Sequence, residues 1–240
     1  MTTNQTGVPD EAERIREAYA KRENRGRYSF FNKAYLLALQ EVERELLFLL
    51  GRTLDRTGSH DLSSTRALDV GCGGGYWLRR MIDWGVDPAN AHGLDLLPDR
   101  VERARTRLPA ACDIRQADAR AIPWPDGHFG LVSQFVMFSS VLAPEVRAAI
   151  ASEMLRVTAP GGLILWYDFH VDNPRNPDVK GVRMGEVRRL FPGAEIEARR
   201  VTVAPPLARV LLPRFTVVYN LVRMLPWVRT HWVAVIRKGA

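Results

Sequence analysis

Glycines at alternate positions, Gly71-Cys72-Gly73-Gly74-Gly75, follow directly on the apolar run Ala67-Leu68-Asp69-Val70. Glycine at such a bend tolerates positive φ and lets a ligand approach bare main chain. The stretch that follows, from Tyr76, has helical spacing, so its first amides favour an anion such as a carboxylate. The dinucleotide fingerprint needs a glycine at position 76, where tyrosine stands; the spacing here is Gly71-x-Gly73-x-Gly75. Two acids close the next two apolar runs. Asp95, in Gly93-Leu94-Asp95-Leu96, can accept both hydroxyls of a ribose, or else act as a helix-start acid before Pro98. Asp118, in Gln116-Ala117-Asp118-Ala119, offers an acceptor to an exocyclic amine, and the Ala119 amide offers a donor to a ring nitrogen. Glycine turns of this kind also occur without ligands. A glycine turn, an acid and an acid at three successive strand tips are hard to explain as packing, and together they point to a nucleoside site.

Proton transfer would need a further group. His170, in Trp166-Tyr167-Asp168-Phe169-His170, is the first choice, because an imidazole titrates near neutrality. Asp168 lies two residues before it, so on extended chain both point to one side and the acid can tune the ring. The alternative is a capping Asp168 and an exposed His170. His231 is the second choice. His60, His92 and His128 read as solvent-facing or structural, and the five histidines make no metal-ligand pattern.

The elements that must position these groups alternate. Apolar runs at Ala67–Val70, Ala91–Leu94, Cys112–Arg115, Gly130–Phe135 and Leu163–Phe169 read as strands, with helical spacing at Tyr76–Trp84, Asp99–Arg107 and Glu145–Val157 between them. Pro98 and Pro144 sit where first-turn prolines belong. This rhythm implies an α/β fold with a buried parallel sheet, helices on both faces and right-handed crossovers. Further on, 182–191 reads as helix, and 195–203 and 230–237 as strands. The apolar stretch Pro206–Val228, broken by Arg209, Pro213, Arg214 and Arg223, reads as two short helices or one kinked helix. Ahead of the alternation, 9–23 reads as a polar helix, 33–50 as an amphipathic one, and 51–64 as a linker. The expected division is an N-terminal helical segment, 1–65, that covers the site, and a unit of 66–240 with a helical insertion at 206–228.

Composition narrows the function. The chain has 240 residues, 46% of them hydrophobic, which suits an ordinary globular core. No run is long and apolar enough for a spanning helix. Met1–Asp10 is polar, so no secretory leader is expected. Cys72 and Cys112 make no disulfide framework and fit a reducing, cytoplasmic setting. The net charge of +7 is uneven: residues 171–240 hold 13 cationic and 5 acidic side chains. That bias reads either as arginine-rich solvated surface or as a face for something anionic. No basic block interleaved with aromatics points to nucleic acid.

Taken together, Leu68–Gly75, Gly93-Leu94-Asp95, Ala117-Asp118-Ala119, Ile122–Gly130 and Arg156–Leu163 resemble the class I S-adenosylmethionine-dependent methyltransferases, over most of 66–170. Gly130 departs from the pattern, which commonly has an acid after the aromatic; strand packing is expected to feel that more than chemistry. The resemblance implies a Rossmann-like, seven-stranded, mostly parallel sheet with an antiparallel last strand. It implies S-adenosylmethionine as cofactor, with Asp69, Gly71, Cys72, Gly73, Gly75 and Tyr76 around its methionine end. Asp95 and Leu96 would meet the ribose, Asp118 and Ala119 the adenine, and Gln134 and Phe135 the sulfonium and acceptor. The N-terminal segment with Arg25, Arg27, Tyr28, Phe30, Phe31 and Tyr35 would fold over the cofactor, Tyr28 reaching its carboxylate.

No Asn/Asp-Pro-Pro-Tyr follows the fourth strand, where Ser133-Gln134-Phe135-Val136 stands, which argues against methylation of adenine or glutamine amines; no Pro-Cys nucleophile stands there for cytosine C5 either. The expectation is methylation of a small molecule, with oxygen as the preferred atom and nitrogen or carbon as alternatives. The acceptor would be partly apolar with an anionic part: a natural product, a sugar or a lipid-linked intermediate. An NAD(P) oxidoreductase fails on glycine spacing and lacks a Tyr-x-x-x-Lys pair. A non-catalytic binding protein on this fold, and peripheral membrane contact through 206–228, stay open. The protein is expected to be a monomer or homodimer.

Overall fold

The computed structural model describes residues 10–239 except 22–25, 27, 57, 59, 174, 175 and 213. Arg25 and Arg27 lie outside the described residues. Five parallel strands form the centre: β1 (Ala67–Val70), β2 (Ala91–Asp95), β3 (Asp113–Gln116), β4 (Phe129–Phe135) and β5 (Thr158–Phe169). β6 (Glu195–Val203) and β7 (Arg229–Arg237) complete the order β3-β2-β1-β4-β5-β7-β6, with β7 antiparallel to both neighbours. The antiparallel last strand therefore stands where the resemblance predicts it.

The helices are α1 (Glu11–Ala20), α2 (Lys33–Asp55), α3 (Tyr76–Asp83), α4 (Pro98–Arg107), α5 (Pro144–Val157), α6 (Met184–Leu190), α7 (Pro205–Leu211) and α8 (Thr216–Val222). Prolines open α4, α5 and α7, where no helical N–H is lost. Asn32 caps α2, its side-chain oxygen accepting the Ala34 and Tyr35 amides. Pro206–Val228 resolves into the shorter pieces α7 and α8.

Strand alternation divides the core by face. Ala67, Leu131, Leu165, Tyr167 and Val233 pack with Leu46, Leu49 and Leu50 of α2 and with Leu78 and Met81 of α3. Leu68, Val132, Ile164, Trp166 and Ala234 pack on the other face against Ile150, Ala151 and Met154 of α5 and Val187 of α6. Burial of each such leucine is worth about 1.5–3 kcal/mol. Two expectations need correction. The segment 51–64 is not all linker, because α2 continues to Asp55, with Thr53 buried. β5 begins at Thr158, ahead of the Gly161-Gly162 pair, because Thr158 already pairs with Phe129. The register shifts between Phe129 and Leu131, and a side chain at Gly130 would meet Thr65 Cγ2 at 3.1 Å.

Candidate functional site

A cleft of about 1290 Å³ opens at the carboxyl ends of β1 to β5, under α1, α2 and α7. It straddles the point where strand order reverses between β1 and β4, the usual place for a ligand in an open α/β sheet.

At one end the chain turns sharply after β1. Gly71, Gly73 and Gly75 all have positive φ, and a side chain on Gly71 would come within 2.8 Å of Met137 Cγ. Asp95 fastens this bend. Its carboxylate accepts the Gly73 amide at 2.9 Å and the Leu97 amide at 3.0 Å, with Arg100 at 4.0 Å. A carboxylate has about four acceptor positions, so two further hydrogen bonds remain open to hydroxyls in the cleft. Asp69 also faces the cleft. Burial raises its carboxyl to about 7, while the 2.7 Å bond from Ser133 Oγ opposes the rise and nearby Asp95 adds to it. Among the described residues no lysine or arginine forms a salt bridge to Asp69. Burial pushes the Cys72 thiol well up, so it is an inert wall rather than a nucleophile.

Asp118, Ala119, Leu96 and Tyr76 also line the cleft. Burial would raise Asp118, but Arg120 overrides it, gripping the carboxylate through Nε and Nη2 and holding its pKa low. The Asp118 carboxylate on the cleft wall is thus already tied to an arginine. Over this end lies α1, docked by Glu11, which accepts the Leu142 amide and pairs with Arg14, and by Tyr19, whose hydroxyl bonds Ser140 Oγ at 2.9 Å. Arg100 stacks on the Tyr19 ring at 4.1 Å. Tyr28 is exposed at the cleft rim, edge-on to Tyr35.

The other end is aromatic. Phe135 stacks on Trp77 of α3 at 4.1 Å. Tyr167 and Phe169 line the wall, and His231 lies against both, 4.9 and 3.9 Å away by ring centroids. His231 pairs with Phe169 across β5 and β7, and so shares its face. Burial lowers its pKa to about 3, with His170 adding to the effect, and its Nδ1 is 2.9 Å from Thr230 Oγ1. Val136, the residue after β4, has φ +58, a rare conformation for a β-branched residue. Its amide donates to the Tyr167 carbonyl at 2.7 Å, and the next amide, of Met137, donates to Gln134 Oε1.

Three expected site residues stand elsewhere. Gln134 points to the opposite face of the sheet and serves the backbone of this turn. Asp168 and His170 also face away, because on β5 it is Tyr167 and Phe169 that meet the cleft. Asp168 is buried and accepts the Ser139 and Phe169 amides, and burial raises its pKa to about 6 against those bonds. His170 Nε2 lies 2.9 Å from the Arg229 carbonyl. The Asp168–His170 pairing is therefore replaced by two separate backbone attachments. Tyr167, Phe169, Arg100 and Thr230 also line the cleft, and their spacing in the sequence does not mark the first two or the last as cleft residues. Arg100 had a signal, one turn into the helix that follows Asp95.

Comparison with known proteins is consistent with this geometry. A methyltransferase-domain family matches residues 67–162. The malonyl-[acyl-carrier protein] O-methyltransferase of Halorhodospira halophila is 33% identical over 124 residues, 49% of this chain and 39% of that protein. The 2-methyl-6-phytyl-1,4-hydroquinone methyltransferase of Synechocystis is 34% identical over 116 residues, 46% of this chain and 34% of that protein. The chain thus spans well under half the length of these relatives. In fold it resembles a putative sarcosine dimethylglycine methyltransferase from Galdieria sulphuraria, with a TM-score of 0.59, 17% identity, and 96% and 99% of the two chains covered.

The residues present fit an adenosyl sulfonium. Asp69 is a buried carboxyl group on a cleft wall with no salt-bridge partner among the described residues, Asp95 has acceptors to spare, and the bend leaves main chain bare. Residues 67–162 match a methyltransferase-domain family, and in this part the chain is similar to the class I S-adenosylmethionine-dependent methyltransferases in sequence and in fold.

Proposed function

We propose that this protein transfers a methyl group from S-adenosylmethionine to a small, partly apolar acceptor, at oxygen. The observation that carries this reading is the division of one cleft into two chemically distinct ends. The glycine bend with Asp69 and Asp95 suits a cationic nucleoside, and the aromatic end with His231 suits an uncharged ring or chain. When bound, the cofactor supplies an already activated methyl group, so the protein mainly has to align the acceptor and keep water out.

Tyr167, Phe169 and Phe135 do both. His231 is unprotonated at neutral pH, and its buried ring can accept a hydrogen bond from an acceptor hydroxyl. With so low a pKa it orients an oxygen better than it strips a proton, so the acceptor that fits has a weakly acidic hydroxyl of its own: a phenol or an enol. Arg209 on α7 lines the same cleft and supplies a cation for an anionic part of the acceptor. The helices α1 and α2 ahead of the sheet serve as the cover, with α1 over the adenosine end.

Calorimetry with S-adenosylhomocysteine, followed by a screen of metabolites for labelled, methyl-shifted products, tests the proposal. Binding is expected to weaken at least about tenfold in Asp95→Ala, the scale set by loss of hydrogen bonds to a charged group. No heat of association with the wild-type protein would sink the proposal. Products labelled on nitrogen or carbon alone would overturn the assignment to oxygen.

A further inference from the structure

The outer face of the segment between β6 and β7 is apolar, although none of the described residues covers it. Val217, Met224 and Trp227 are 74%, 72% and 73% exposed, and Val210, Phe215 and Leu221 are exposed beside them. The segment is nonetheless anchored. Ala208, Leu212 and Tyr219 are buried against Ala34 and Leu37 of α2, and Arg229 holds the Arg223 carbonyl through Nε and Nη2. The α2 end it packs on carries Phe31, which is 99% exposed, so the apolar surface continues onto the N-terminal cover. Large exposed apolar patches rimmed by charge mark interaction sites.

The charge identifies the occupant. Arg209, Arg214 and Arg223 are set among these apolar residues, and none forms a salt bridge among the described residues. The chain has no aspartate or glutamate anywhere from Ala198 to Ala240. A second copy would press the same patch against itself and bring six arginines together with no acid to balance them. An anionic bilayer instead satisfies both features: arginines meet the headgroups while Trp, Phe, Met and Leu side chains enter the acyl boundary. No helix among the described residues is long and apolar enough to cross a membrane, so the contact is peripheral.

We infer that the α7–α8 face docks this protein on an anionic lipid surface. Pro205, Ala208 and Arg209 of α7 line the cleft, so docking sets the cleft mouth close to the bilayer. An acceptor with an apolar tail can then enter without crossing water. This consequence rests on the proposed methyl transfer, but the docking itself does not.

Flotation of the full chain with phosphatidylcholine vesicles, with and without phosphatidylglycerol, tests the inference without any methyl donor. The chain should float with phosphatidylglycerol vesicles. Binding should fall about thirtyfold in Arg214→Gln/Arg223→Gln, from roughly 1 kcal/mol per arginine near the surface, and at least about tenfold in Met224→Ser/Trp227→Ser. Both double variants should keep wild-type affinity for S-adenosylhomocysteine, which shows that they fold and separates this test from that of the methyl-transfer reading. A wild-type chain left in the non-floating fraction with both vesicle types would overturn the inference, as would variants that float like the wild type. So would a dimer, seen by sedimentation without lipid, that the same substitutions break.

Discussion

His231 shows how environment sets the role of a residue. Its ring lies between Tyr167 and Phe169, where charge is poorly solvated, and so it stays neutral. The unfolded chain takes up a proton there near pH 6.5, whereas the folded chain resists until about 3. Between those values the unfolded state binds more protons, so stability falls as pH is lowered through that window. His231→Asn should flatten this part of the melting-temperature profile, read by calorimetry from pH 7 down. The same substitution should lower kcat by about tenfold, the scale of one lost orienting hydrogen bond, with cofactor affinity unchanged, while His170→Ala should leave kcat within about twofold of wild type. An inverted result would return the role to His170. The sequence favours His170 because period-two alternation tells which residues share a face of a strand but not which face meets the cleft. Only the sheet order, with β7 beside β5, puts His231 next to Phe169.

At the scale of elements, local signals located most of the pieces. Pro98 and Pro144 marked helix starts, and the glycine bend, Asp95 and Asp118 marked three strand ends, because each depends on chemistry within a few residues. Long-range ties left no such trace. Arg147, in α5, is buried, with Nε on the Val141 carbonyl, Nη2 on the Lys180 carbonyl and Nη1 on Glu186. It joins two loops behind the cleft to α6, and nothing in Glu145–Val157 distinguishes it from a solvated arginine. Arg147→Ala would strand two carbonyls and a carboxylate. It should cost about 1–3 kcal/mol, seen as a lower urea midpoint. A shift under about 1 kcal/mol would mean that water replaces the guanidinium.

For the whole molecule, the boundary expected at residue 65 divides sequence more cleanly than it divides core. Leu46, Leu49 and Leu50 of α2 are in the same cluster as Leu131, Leu165 and Val233 of the sheet. A chain that starts at residue 66 should therefore lose its cooperative thermal transition; a sharp transition in that truncated chain would mark the sheet as self-sufficient. The other flank behaves differently. The segment 205–228 leaves and re-enters the sheet between neighbouring antiparallel strands, and its two feet are tied by the Ala204 amide on the Val228 carbonyl at 2.8 Å. Such a hairpin-borne cassette can be lengthened, shortened or exchanged without rethreading any strand. On the proposed methyl transfer, grafts at this one place would retune acceptor preference while the nucleotide-facing half is inherited intact.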